Sequence, residues 1–219
     1  MPTNKSTIKW YNDNAQQYTS HVRDVNESIY HSYYEKPAMQ AMLPNLQDKA
    51  VLSIGCGSGE DVIYMARQGA VRSVGIDVSE QLIKIASASY AECEFLVMDQ
   101  EKLTFADNSF DFVYSSLAIH YLEYWTPTLK EAYRVLKPDA YFLFSCHHPV
   151  DSALFTTHND GDKKITQLAR IKDKQSKKVE IIGDYMSHRK LDGTDDLAVT
   201  TWHKPLSDYQ RGKRIRLPD

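Results

Sequence analysis

Cysteine is scarce in this 219-residue chain: the three present, Cys56, Cys93 and Cys146, are an odd number, lie far apart and form no CxxC pair. That scarcity excludes a disulfide framework and a zinc knuckle, leaves no metal site to expect, and fits a reduced, cytoplasmic setting. A basic surplus is missing too. With 26 Lys and Arg against 29 Asp and Glu, and a formal net charge of -3, the chain lacks the footprint of a protein that tracks phosphates, so no nucleic-acid partner is expected. Residues 1–10 are polar, without the apolar centre of a signal peptide, and no apolar run is long enough to span a bilayer. A soluble protein with a small-molecule substrate follows as the expectation. Internal repeats and low-complexity tracts are absent as well.

What the chain does have is material for one substantial core, with 42% hydrophobic and 25% charged residues. Between residues 50 and 145 short apolar runs alternate with helical patterns, the order that builds a parallel sheet with helices on both faces. Five strands are predicted, over 50–54, 73–77, 93–98, 111–115 and 141–145, and four of them are nearly continuous in apolar residues, as doubly covered strands are. A helix over 60–68 places Val62, Met65 and Ala66 on one face and stops at Gly69, a C-cap. Ser79 caps the next helix, whose buried stripe is Leu82, Ile83 and Ala86. A third begins near Thr128, aligns Leu129, Ala132, Tyr133 and Leu136, and halts before Pro138.

The fold class is therefore α/β, a doubly wound and mostly parallel sheet within one structural domain. Residues 1–45 read as a tyrosine-rich helical cap with two helices over 10–42, residues 46–149 as the ligand-binding core, and residues 150–219 as an insertion over the substrate plus a short tail. The stretch 149–203 is polar and irregular, with room for a β-hairpin, and its lysine-rich run 172–178 reads as a solvated surface.

Chemistry concentrates in the run from Val51 to Glu60, where a strand, the turn Gly55-Cys56-Gly57-Ser58-Gly59 and a helix start follow one another, an arrangement that places ligands beyond the carboxyl ends of strands. Glu60 stands where the third glycine of a dinucleotide fingerprint belongs, so a nicotinamide cofactor is disfavoured. Glu60 and Asp61 suit the helix dipole but would repel a pyrophosphate. A ligand with positive charge and no phosphate is favoured, and S-adenosylmethionine, with its sulfonium and α-ammonium groups, meets that description. Asp77 ends the second predicted strand 22 residues past Gly55, where an acid accepts hydrogen bonds from a ribose diol, and Val78 follows it. Asp99, Gln100 and Glu101 bring further polar groups to the same sheet edge, toward the adenine end.

These pieces, with Gly75–Ser79, 99–103, 110–122 and Arg134-Val135-Leu136-Lys137-Pro138, resemble in order and spacing the class I S-adenosylmethionine-dependent methyltransferases of the ubiquinone/menaquinone-biosynthesis type. The resemblance covers the middle half of the chain. It implies that Gly55, Cys56, Gly57 and Gly59 line the methionine part of the cofactor, that Asp77 holds the ribose hydroxyls and that Asp99 bonds the adenine amino group. It further implies that Ser115 and its neighbours close the sulfonium side and that Tyr18 covers the cofactor, with S-adenosylhomocysteine as product. Asp184 and Tyr185 resemble a segment that closes over substrate. Two departures stand out: Ser53 occupies a position where the family usually has an acid, and Asp139-Ala140 replaces a glycine pair.

Methyl transfer from a sulfonium is an in-line displacement with a good leaving group, so orientation and water exclusion come first and a base is optional. For a hydroxyl acceptor, His120, after the fourth predicted strand, and His148, after the fifth, are the candidate general bases. The rival readings are a binding relative that does not turn over and, less favoured, a nicotinamide-dependent oxidoreductase. At the C-terminus, residues 202–209 resemble the lead-in to a final helix and antiparallel strand pair, yet only 210–219 follow. A relative shortened there is expected, with the open edge of the fifth strand covered by the insertion or by a second copy in a homodimer.

Overall fold

Strand β1 (Ala50–Ile54) sends Leu52 and Ile54 into one apolar cluster and Val51 into another, and all three are fully buried. A strand of this kind needs cover on both faces, and the chain supplies it. The structure, a computed structural model, describes residues 3–149, 157–160, 163–166, 169–172, 179–182, 188–192 and 199–205. Beside β1 lie β2 (Arg72–Asp77) and β4 (Phe112–Ser115), with β3 (Glu94–Val97) beyond β2 and β5 (Phe142–Phe144) beyond β4. The order is β3-β2-β1-β4-β5 and every pairing is parallel. Each of the five expected strands is present, within one residue at either end.

One face carries Leu52, Ile54, Val74, Ile76 and Val113 against Ala132, Val135 and Leu136 around helix α6 (Thr126–Val135). The other carries Val51, Phe112 and Tyr114 against Met65 of α4 (Glu60–Arg67) and Met39 of α3 (Lys36–Ala41). Burying one such aliphatic side chain contributes about 1.5–3 kcal/mol, so the two clusters dominate the stability of the fold. Helix α5 (Glu80–Ser89) packs on β2 and β3, and the side chain of its N-cap, Ser79, accepts from Leu82 N–H at 3.2 Å. Helix α4 ends before Gly69, which takes the left-handed φ of +98° expected of a C-terminal glycine.

The Arg134–Pro138 motif is a clamp. Arg134 donates to both carboxylate oxygens of Glu131, to Asp107 and to the carbonyls of Leu103 and Phe105, at 2.8–2.9 Å, which pins the crossover between β3 and β4 onto α6. Lys137 pairs with Asp111 at 2.9 Å, and the same Asp111 oxygen accepts Ala50 N–H, so the start of β1 is tied to this corner. The turn that follows keeps its left-handed residue without glycine. Asp139 adopts φ 64°, a conformation that Asp tolerates better than most side chains.

The helical cap differs from the expected two helices over 10–42. It starts earlier, with α1 (Lys5–Asp13) capped by Asn4, continues with α2 (Ala15–Arg23), and ends in a five-residue π-helix (His31–Glu35) that runs directly into α3. Asn14 separates α1 from α2, its side-chain amide donating to Trp10 O at 2.9 Å in competition with the backbone ladder.

The chain divides into two compact units, Met1–Cys146 and His147–Asp219. Among the described residues of the second, three antiparallel pairs form where one hairpin was expected: β6 (Thr157–Asp160) with β7 (Lys163–Thr166), β8 (Ala169–Lys172) with β9 (Val179–Ile182), and β10 (Arg189–Asp192) with β11 (Thr200–His203). Trp202 of β11 meets the His188 ring edge-on at 5.7 Å. Residues 173–178, Asp184, Tyr185 and 206–219 lie outside the described residues, and with them most of the lysine run, the segment expected to close over substrate and the short tail.

Candidate active site

The sheet winds outward from β1 in both directions, so a crevice for ligands lies at the carboxyl ends of β1 and β4, where the winding reverses. The turn leaving β1 there holds Gly55, Gly57 and Gly59 at φ +68°, +54° and +92°. A Cβ on Gly55 would stand 2.4 Å from that of Ala118, so this glycine lets the β4 exit pack against the turn. A Cβ on Gly57 would meet only the Tyr18 ring, at an ordinary 3.5 Å. Tyr18 therefore lies directly over Gly57, within van der Waals reach of any side chain placed there.

Asp77 fastens the turn. One of its oxygens accepts Gly57 N–H at 3.0 Å and the other accepts Ser79 N–H at 2.9 Å, while Cys56 N–H donates to Ile76 O at 2.9 Å. Burial pushes the Asp77 carboxyl up, and the backbone N–H groups pull it back. Each oxygen keeps a second lone pair for a ligand hydroxyl. Val78, half-buried, links Asp77 to the α5 cap. Burial, then Asp77, Glu60 and Asp61, pushes the Cys56 thiol well up, which disfavours the thiolate.

Three tyrosines build the roof. Tyr11 stands edge-on to Tyr18 and to Tyr121, with centroids 5.2 and 5.8 Å apart, and the Tyr11 and Tyr121 hydroxyls meet at 2.5 Å. Burial, then Tyr121 and Asp77, raises the Tyr18 hydroxyl beyond its ordinary range, which keeps it neutral. Two side chains hold these helices down: Asn12 Oδ1 accepts from Ser79 Oγ and Gln81 N–H, and Arg23 donates to Glu60 at 2.7 Å. Glu60 also accepts Ser58 Oγ at 2.7 Å, so the acid in place of a third fingerprint glycine ties the cap to the turn.

Along the sheet edge, Asp99 accepts Glu101 N–H at 2.8 Å in a local turn. Gln100 Oε1 and Ser115 Oγ are buried and have no hydrogen-bond partner among the described residues. Orphaned atoms of this kind ask for an occupant, because a buried polar group left unpaired costs about 1–3 kcal/mol.

A second polar group closes the ends of β4 and β5. Glu35, 5% exposed, accepts from Ser116 Oγ at 2.8 Å and Ser145 Oγ at 2.5 Å, with His31 Nε2 at 3.1 Å from its other oxygen. Ser145 Oγ in turn accepts Leu117 N–H, at a residue held at φ 47°. Burial opposes the Glu35 charge, but His31 and the two serines outweigh it and lower the carboxyl. Of the candidate bases, His120 is 3% exposed with its ring against Tyr121 at 4.4 Å, and His148 belongs to the second unit. Tyr11, Tyr121, Asn12, Arg23, His31 and Glu35 escaped the sequence reading. Only the His31 and Glu35 spacing of four on a helix offered a local signal.

Residues 52–144 match the methyltransferase domain family. The malonyl-[acyl-carrier protein] O-methyltransferase of Marinomonas sp. is 36% identical over 109 residues, 48% of this chain and 40% of that protein. A ubiquinone/menaquinone biosynthesis C-methyltransferase of Rickettsia felis is 31% identical over 119 residues, 49% of this chain and 48% of that one. Among solved structures, an S-adenosylmethionine-dependent methyltransferase from Mesorhizobium loti superposes with a TM-score of 0.65 at 27% identity, covering 81% of this chain and 78% of its own. The chain thus spans about half the length, or less, of these curated relatives.

Proposed function

Because the chain carries a class I S-adenosylmethionine-dependent methyltransferase domain, we propose that it transfers the methyl group of that cofactor to a small-molecule acceptor by in-line displacement. The observation that carries the reading is the left-handed glycine turn at the end of β1, with Tyr18 over Gly57 and Asp77 bonded to the Gly57 N–H. In this reading Gly55, Gly57 and Gly59 take the methionine part, Asp77 the ribose, and Asp99, Gln100 and Glu101 the adenine side, with Ser115 below the sulfonium. Gln100 Oε1 and Ser115 Oγ, both orphaned, fit a ligand that brings hydrogen-bond donors and polarised CH groups to the sheet edge. When bound, the cofactor supplies an electrophilic methyl on a cationic sulfur.

The protein's own contribution is placement and dryness. The tyrosine roof excludes water, and the Glu35 group fixes the ends of β4 and β5, where an acceptor would lie. For a protic acceptor an imidazole would serve as base, and His31, whose Nε2 lies 3.1 Å from Glu35, is a candidate beside His120 and His148. The relatives named above differ in acceptor, one an O-methyltransferase of malonyl-[acyl-carrier protein] and another a C-methyltransferase of ubiquinone/menaquinone biosynthesis, so the acceptor atom is open to assay. Among the described residues no helix is long and apolar enough to cross a membrane.

Calorimetry with S-adenosylmethionine and S-adenosylhomocysteine tests the cofactor claim without an acceptor. Saturable binding of both is expected, and absence of binding to either removes the reading. Methyl transfer to phenol, amine and carboxylic-acid panels, followed by mass spectrometry, then separates an enzyme from a binding relative.

A further inference from the structure

The chain that leaves β4, residues 116–121, touches both the glycine turn and the tyrosine roof. Ala118 packs against Gly55 so closely that a Cβ on the glycine would stand 2.4 Å from its own. Just beyond, in the short 3-10 helix Ile119–Tyr121, the Tyr121 hydroxyl meets that of Tyr11 at 2.5 Å, and Tyr11 stands edge-on to Tyr18 above Gly57. One short stretch therefore supplies a wall of the cradle and a support of its roof.

That stretch begins in a strained conformation. Leu117 adopts φ 47°, in the left-handed region, where a bulky side chain is an outlier. Such backbone persists only where its surroundings over-determine it, and here the surroundings converge on Glu35. Ser116 Oγ donates to Glu35 Oε1 at 2.8 Å, Ser145 Oγ donates to the same oxygen at 2.5 Å, and Ser145 Oγ accepts Leu117 N–H at 2.9 Å. Ser145 is placed in turn by its own N–H, which donates to Ser115 O at 2.9 Å. The carboxylate thus grips Ser116 directly and Leu117 through Ser145. It is firmly held from the cap side: Glu35 is 5% exposed, His31 Nε2 lies 3.1 Å from its other oxygen, and α3, which follows it, buries Met39 against the core. Two hydroxyl donors on one oxygen suit an anion, because charge-assisted bonds are stronger than neutral ones.

Resting on the cofactor reading above, we propose that Glu35 is a positioning residue for cofactor binding, acting through residues 116–121: it sets where Ala118 meets the glycine turn and where Tyr121 meets the roof. The N-terminal cap then does more than cover the sheet, since a carboxylate 81 positions before Ser116 fixes the path of the chain beside the cradle. Without it, Leu117 is released from its left-handed conformation, and wall and roof lose their common anchor.

The test is calorimetry of the full chain with S-adenosylhomocysteine, beside unfolding in urea. Glu35→Ala and Ser145→Ala should each weaken binding by about 10- to 100-fold, the range for losing bonds to a charged group. The two losses should overlap, with the double variant within about threefold of the weaker single one, because both substitutions release the same Leu117 segment. Glu35→Gln, whose amide oxygen can still accept both hydroxyls, should recover most of the affinity. Asp111→Ala controls for stability alone: it breaks bonds to Ala50 N–H and Lys137 at the opposite ends of β1 and β4, so it should lower the urea midpoint yet leave affinity within about twofold. Should Glu35→Ala fail to fold, Ser145→Ala carries the test. Unchanged affinity in a folded alanine variant at either position, losses that simply add, a Glu35→Gln protein as weak as Glu35→Ala, or an equal loss in Asp111→Ala overturns the proposal. If the unmodified protein does not bind S-adenosylhomocysteine, the cofactor reading itself has failed, and the proposal falls with it.

Discussion

Asp77 bonds the chain at two backbone N–H groups and, in the proposed reading, also the ligand, and a substitution there tests both. Asp77→Ala removes the acceptor of Gly57 N–H and Ser79 N–H along with any bond to ribose hydroxyls. The expected loss in S-adenosylhomocysteine affinity is about 1.5–3 kcal/mol, and unchanged affinity in a folded variant would sink the assignment. Asp77→Asn should recover part of the binding, since its amide oxygen still accepts one N–H. At this scale the sequence was legible wherever meaning is local. The glycines, Asp77 and the Ser79 cap belong to one short stretch whose turn chemistry dictates their conformation. Glu60 was read as an acid at a helix start, which it is, but its bond to Arg23 crosses 37 residues and no local pattern announces it. Glu35 was passed over for the same reason, since its two serines lie 81 and 110 positions away.

Among elements, the strands were legible because burial on both faces leaves near-continuous apolar runs, and helices α4 and α5 because their caps are explicit. The cap helices were read less well: polar, tyrosine-rich segments carry a weak 3.6 period, and the π-helix that ends at Glu35 has no local signature of its own. The second unit was read least well, since strands of four residues with mixed polarity carry almost no periodicity. Helix α6 makes the sharpest stability prediction. Arg134→Ala leaves the Leu103 and Phe105 carbonyls and the Glu131 carboxylate without their shared donor, so unfolding in urea should show a loss of about 1.5–3 kcal/mol. Arg134→Lys should not restore it, because one ammonium cannot satisfy a planar fork of acceptors. A loss below about 0.5 kcal/mol would show that the crossover is held by its apolar contacts alone.

At the scale of the whole molecule, the residues that line the cradle all lie in the unit ending at Cys146. A chain comprising residues 1–146 should therefore fold, with cooperative thermal unfolding, and bind S-adenosylhomocysteine within about tenfold of the full chain, a difference of no more than about 1.4 kcal/mol. A shorter chain that folds but binds nothing would show that residues 1–146 do not hold the cofactor by themselves.

The tyrosine roof also makes the protein its own optical gauge. Trp10 stands edge-on to Tyr11 at 5.1 Å, and Tyr11 stands edge-on to Tyr18, the ring directly above Gly57. Any occupant that displaces or stiffens Tyr18 changes the surroundings of the Trp10 indole two rings away. In a protein carrying Trp125→Phe and Trp202→Phe, titration with S-adenosylhomocysteine should shift or quench the remaining tryptophan emission, at the same midpoint that calorimetry gives. Emission that stays constant through saturation would mean that the roof does not respond to the ligand, and that the cofactor lies elsewhere than beneath Tyr18.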